Sequence, residues 1–157
     1  MGRDQRVSGA PGDFAAAIEN DRLRRLYLYW DEKRRDRLFP ARRDLDPLDF
    51  PYALGKIMLI DVSHDPLQFR FRLYGTELVD RMGIDVTGLS LDKHPMPEFR
   101  DFLGRGWREA IDGRRPLHVF FDRMVDERQR RFESLRLPLS SDGTTIDMLM
   151  VAVATRD

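Results

Sequence analysis

No cysteine occurs in the 157 residues, which removes disulfides, thiolate zinc ligands, thiol nucleophiles and thioether-linked cofactors together. Such a composition fits a reducing compartment, and a cytoplasmic location is expected. A charge excess is missing too: 27 Lys and Arg balance 27 Asp and Glu. A dedicated nucleic-acid binder normally carries a basic excess or face, so no nucleic-acid partner is expected. The chain also lacks a long apolar run. The longest, MLMVAVA at 148–154, is strand-sized, and no membrane association is expected. The opening MGRDQRVSGAPGD offers no apolar stretch for a secretory signal. Met1-Gly2 begins like a myristoylation site, but Arg6 stands where that motif prefers Ser or Thr. Histidine is scarce, and His64, His94 and His118 share no spacing that would build a metal centre. There is no G-x-S-x-G, no phosphate-cradling glycine loop and no H-x-x-x-H, so no familiar catalytic arrangement is visible.

What remains is an ordinary globular composition, 41% apolar and 34% charged, of single-domain length. Residues 1–12 read as a flexible N-terminal arm and 13–157 as one domain. From Asp13 to about Arg37 the spacing of Phe14, Ile18, Leu23, Leu26, Tyr27 and Trp30 predicts one long helix, stopped by Phe39-Pro40. DEKRRDR at 31–37 reads as its solvated end. Asp46-Pro47 suggests a capped helical turn. KIMLIDV (56–62) is apolar on both faces, as a central strand would be. FRFRLYG (69–75) alternates large apolar groups with arginine and returns as its hairpin partner. Short helical pieces follow, then a better helix over 97–112 carrying Phe99, Leu103 and Trp107 on one side. Gly104 and Gly106 inside that helix point to close packing rather than to phosphate binding. Strands at 116–125, 131–140 and 144–156 close the chain, the last two joined by the Asp142-Gly143 turn signal. Strands at both ends with helices between them predict an α+β domain.

The residues then sharpen the picture. Leu38, Pro40, Ala41, Arg42, Asp44, Asp46 and Pro47 form one box before the first strand. Phe69 to Leu73, Gly75, Thr76, Leu78, Val79, Gly83, Asp85, Thr87 and Gly88 form a second. With this element order the chain resembles the PAS domain family, and within it a group of stand-alone bacterial PAS-like proteins. The resemblance spans about Leu26 to Val153. It implies a five-stranded antiparallel sheet with short helices between its second and third strands, wrapping a pocket against one sheet face. It also implies a sensory or regulatory module without catalysis, acting on a small ligand or a signalling protein partner. The alternatives are a pure interaction module with a filled core and, from another class, a small cone-shaped isomerase or hydratase.

Under the PAS arrangement, Phe71, Leu73, Leu78, Met82, Phe99, Leu103, Trp107, Phe121, Leu135 and Met148 would converge, as core or as the lining of a ligand cavity. The cofactor is left unknown. The cysteine-dependent photosensor branches are excluded, and the 97–112 helix lacks the histidine that a haem-binding PAS protein carries there. Asp61, Asp85 and Asp122 read as loop or strand-edge carboxylates, not as an acid in an apolar cavity. Arg42, Asp44 and Asp46 read as an ion-pair and cap network holding the long helix to the sheet, with a docking surface as the alternative. The N-terminal helix is longer than one small domain is expected to cover, so Phe14 and Ile18 are expected at a homodimer contact.

Overall fold

The computed structural model describes residues 5–6 and 11–156. Most of the expected N-terminal arm, residues 1–12, therefore lies outside the described residues. Six antiparallel strands form one sheet: β1 (Gln5–Arg6), β2 (Ile57–Ser63), β3 (Gln68–Tyr74), β4 (Leu117–Val125), β5 (Arg128–Leu139) and β6 (Met148–Arg156). Their order across the sheet is β1-β4-β5-β6-β2-β3. Five of them match the expected strands. The sixth, β1, adds Gln5 and Arg6 beside Phe120 and Val119 of β4. Between β3 and β4 lie α3 (Thr76–Met82), a 3₁₀ turn at Leu91–Lys93, and α4 (Pro97–Gly113). That is the α+β arrangement the resemblance implied.

The register divides the sheet into two faces. Phe121 stands opposite Phe132, and Phe71 opposite Ile60, on the face covered by α4. Phe102 lies 4.8 Å from Phe121, and Trp107 lies 5.4 and 5.6 Å from Phe69 and Phe71, ring centre to ring centre. Gly106 lets α4 pack closely at this contact: a Cβ there would stand 2.5 Å from Nη1 of the buried Arg136 and would push the end of that guanidinium aside. Gly75 has the same duty where β3 passes into α3, because a Cβ would collide with the backbone carbonyl of Gly55.

The other face is covered from the N-terminus. Two helices lie there, α1 (Pro11–Ala17) and α2 (Asp21–Arg34), in place of the single helix expected over 13–37. The reason is a phase slip. At about 100° per residue, the five-residue step from Ile18 to Leu23 turns the apolar stripe by about 140°. A straight helix could not bury both. Side-chain hydrogen bonds hold the break. Asn20 Oδ1 accepts from the Arg22 and Leu23 amides as the cap of α2, and the Arg24 guanidinium donates to the carbonyls of Ile18 and Glu19.

The kink overturns the interface expectation for Phe14 and Ile18. Both are buried inside the chain, Phe14 4.7 Å from the Tyr27 ring. With the stripe folded back onto the sheet, no uncovered surface is left at these positions to require a second copy. Trp30, farther along α2, is buried with its indole N–H donating to the Pro138 carbonyl at 2.9 Å. The Arg42, Asp44 and Asp46 box is structural, as read. Asp44 accepts from the Ala41 amide and pairs with Arg37 at 3.0 Å, Arg42 donates to the Leu45 carbonyl, and Asp46 caps the Pro47–Asp49 turn.

Candidate functional site

The ten residues expected to converge do not share one place. Phe71, Leu78, Leu103, Trp107 and Phe121 are buried in the core. Trp107 is fully enclosed, with its indole N–H lacking a hydrogen-bond partner. Leu73 departs from expectation and is 43% exposed. A bulge explains it: Leu59 pairs with Leu73 but Ile60 with Phe71, so Arg72 is an extra residue and the alternation of FRFRLYG slips after Phe71. Leu135 and Met148 also leave the group. Leu135 stands opposite His118, and Met148 opposite Leu139 and Asp61. Strand alternation puts both on the N-terminal-helix face, away from Trp107.

Met82 and Phe99 do meet, at the lip of a cavity of about 670 Å³. It lies where α3 ends, α4 begins and the β4–β5 hairpin turns. Arg81 comes from α3, Met96 and Glu98 from the start of α4, and Arg123, Met124 and Val125 from β4. Asp122, Asp126 and Gln129 complete the wall. The lining is therefore mixed: Met82, Met96, Met124, Phe99 and Val125 supply an adaptable apolar part, and Arg81, Glu98, Asp122, Arg123 and Asp126 an ionic part of equal number. Arg123 is its fixed point. The guanidinium stacks 3.6 Å over the Phe99 ring and 5.1 Å from the Phe102 ring. Burial pushes its pKa down, an effect that the nearby Glu98 charge opposes. Nη1 is shielded from solvent and has no hydrogen-bond partner. Sequence reading passed over Arg123, because an arginine following Phe-Phe-Asp in a strand looks like its solvent face.

Behind the cavity, His94 packs 5.6 Å from Phe99 and 6.0 Å from Phe71. Its Nδ1 accepts from the Met96 amide at 3.1 Å, so the proton sits on Nε2 of the neutral ring. Burial, with the Arg100 and Arg123 charges, pushes its pKa down and keeps that ring neutral.

A second polar cluster lies on the opposite face. His118 and Glu133 are both 0% exposed, and His118 Nε2 stands 2.6 Å from Glu133 Oε2. The same carboxylate accepts from the Glu19 amide at 2.7 Å and the Asn20 amide at 2.8 Å, right at the break between α1 and α2. Burial pushes the Glu133 carboxyl up, but these three hydrogen bonds outweigh it and hold its pKa below the ordinary range. A glutamate inside the apolar RRFESLRL strand was the available signal for this cluster.

The acids considered for catalysis are otherwise engaged. Asp61 pairs with Arg72 at 3.0 Å and Asp122 with Arg131 at 3.3 Å. The Thr87 hydroxyl, and then its amide, hold Asp85 below the usual carboxylate range, the wrong direction for a general acid. Tyr74, pushed up to about 12 by burial and the Asp85 charge, is a neutral phenol at physiological pH. Among the described residues, neither His nor Tyr lines the cavity. Among the described residues no group of three or more His, Asp or Glu is placed to hold a metal ion.

A family model described as PAS domain matches residues 18–152. The chain belongs to the PAS domain family. No curated protein and no solved structure matches it significantly. The matched span begins at Ile18, so it takes in the α1–α2 break, the whole of α2 and the five long strands up to Ala152. PAS membership makes a sensory or regulatory module the general class of this protein. Among the described residues no helix is long and apolar enough to cross a membrane.

Proposed function

We propose that this PAS protein is a non-catalytic sensory module that binds a small molecule in the cavity between α3, α4 and the β4–β5 hairpin. The observation that carries the reading is that cavity: about 670 Å³, lined by Met82, Met96 and Phe99 around a stacked arginine. Its size falls within the usual range for ligand sites, and its methionines can adapt to an irregular apolar guest. The α4 helix that bounds the cavity packs on β5, and β5 carries Glu133, the anchor of the α1–α2 break. A ligand that shifts α4 on the sheet thus bears on the strand that holds the N-terminal helices, where a signalling protein partner would read the change.

The filled core around Trp107 favours a second reading, an interaction module that works without a ligand. Native mass spectrometry of freshly purified protein separates the two. A small-molecule adduct that disappears when Met96→Trp fills the cavity is the result expected of a sensor. Bare protein, with solution spectra unaffected by metabolite extracts, supports the ligand-free module.

A further inference from the structure

Residues 33–44 hold six basic side chains against two acidic ones, in a chain whose formal charges balance. The segment leads out of the C-terminal end of α2. Arg37 and Arg42 are spent on internal contacts, Arg37 with Asp44 and Arg42 with the Leu45 carbonyl. Arg43 is held in place by donating to the Ser141 carbonyl at 3.2 Å. Arg114, the cap of α4, joins the segment by placing its guanidinium 5.4 Å from the Phe39 ring. Arg35, Arg43 and Arg114 are exposed, and among the described residues none of the three has a carboxylate partner. Leu38, 57% exposed, lies in the same segment.

Backbone geometry marks two of these arginines. Arg35 and Arg114 end α2 and α4 with φ of 57° and 51°, where glycine is favoured and a side chain brings strain. The dipole of α2 does not account for Arg35, because Lys33 and Arg34 already place cations in its last helical turn. A charged side chain kept at a glycine position points to a use for the charge. We infer that Arg35, Arg43 and Arg114 form a docking surface for an acidic segment of a partner protein, one that also carries an apolar side chain for Leu38. Guanidiniums at set positions suit carboxylates, which they meet in two-pronged pairs. Asp36 within the segment and Asp142 beside Ser141 interrupt the positive field. Carboxylates spaced along a peptide fit that pattern better than the unbroken charge of nucleic acid or of an anionic membrane.

The test uses the full chain and a fluorescein-labelled peptide of glutamates around one central leucine, followed by anisotropy. The peptide should bind and its glutamine counterpart should not. Arg35→Gly combined with Arg43→Gln and Arg114→Gln should weaken binding about tenfold or more. Arg22→Gln combined with Arg105→Gln and Arg128→Gln removes the same charge from exposed positions elsewhere and should leave binding unchanged. Arg35→Gly alone separates use from structure: it should hold or raise the melting temperature while weakening the peptide. Met96→Trp, which fills the cavity, should leave the peptide affinity as it is, so the surface and the cavity are tested apart. A fall in melting temperature with Arg35→Gly shows a side chain kept for the fold and overturns the inference. So does an equal loss in both triple variants, which would reflect net charge alone. No binding by the glutamate peptide, or tighter binding by duplex DNA or by phosphatidylserine vesicles, overturns it as well.

Discussion

The two faces of the sheet are packed by different means. On the N-terminal face, α1 and α2 are fastened by groups that leave no slack: Ile18, Leu23, Leu26 and Trp30 fully enclosed, and a buried carboxylate shared between a histidine and two backbone amides. On the α4 face an aromatic core around Trp107 gives way, toward the hairpin end, to methionines, a stacked arginine and open volume. The first face is built from interactions with one satisfactory geometry. The second ends in side chains that accept several. The sensor proposed above, holding its N-terminal helices while answering to a ligand, would use both.

The largest effects should come from the anchor of each face. Trp30→Ala and Trp107→Ala each remove a fully buried indole and should cost about 3–5 kcal/mol of unfolding free energy by urea titration. Trp30→Ala also strands the Pro138 carbonyl it serves. If Trp107→Ala melts within a degree or two of the parent, the α4 core is looser than its ring contacts imply and the contrast between faces fails.

Glu133→Gln comes next. It keeps the shape but removes the charge that accepts from His118 and two amides, and a loss of about 1.5–3 kcal/mol is expected. The pH dependence has a definite sign. A carboxyl whose folded pKa lies below its unfolded value of about 4.3 contributes its full stability at neutral pH, and loses it as pH falls through the folded value. The stability gap between parent and Glu133→Gln should therefore be widest near pH 7 and shrink below about pH 4. A gap that widens on acidification would show that the carboxyl is buried in its neutral form.

Asn20→Ala tests the break itself. Losing the cap of α2 should cost about 1 kcal/mol. Amide exchange should quicken first at Arg22 and Leu23, before any of the sheet opens. Smallest of all is Leu73→Ala, within about 0.5 kcal/mol because the bulge turns that leucine outward. An effect as large as that of a buried leucine would restore the unbroken alternation of β3.

These residues also show what could be read from the sequence and what could not. The strands, the α4 helix and the short helices between the hairpins were legible because each carries its own period or punctuation, and the second sequence box named the family. The α1–α2 break was written in the five-residue step from Ile18 to Leu23 and in Asn20-Asp21, but counting apolar residues without following their phase hides it. Leu73, Leu135 and Met148 were misplaced for a different reason. Which face a strand residue occupies depends on register and bulges, and these are set by pairing with distant strands. The cavity was least legible, since Arg123 gains its meaning from Phe99 and Phe102, which no local pattern connects to it.

The strand order carries a consequence for how the molecule is made. β6, last of the strands to leave the ribosome, fills the middle of the sheet between β5 and β2. Until Met148–Arg156 has been synthesised, the β2–β3 and β4–β5 hairpins can form only as separate pairs, each with a strand edge unpaired. Closure then joins β2 to β6 across some ninety residues of chain, a non-local pairing of the kind that slows folding. A nascent chain stalled just short of Met148 would thus present two sticky edges at once, the state in which this protein is most exposed to chaperones and to its own neighbours.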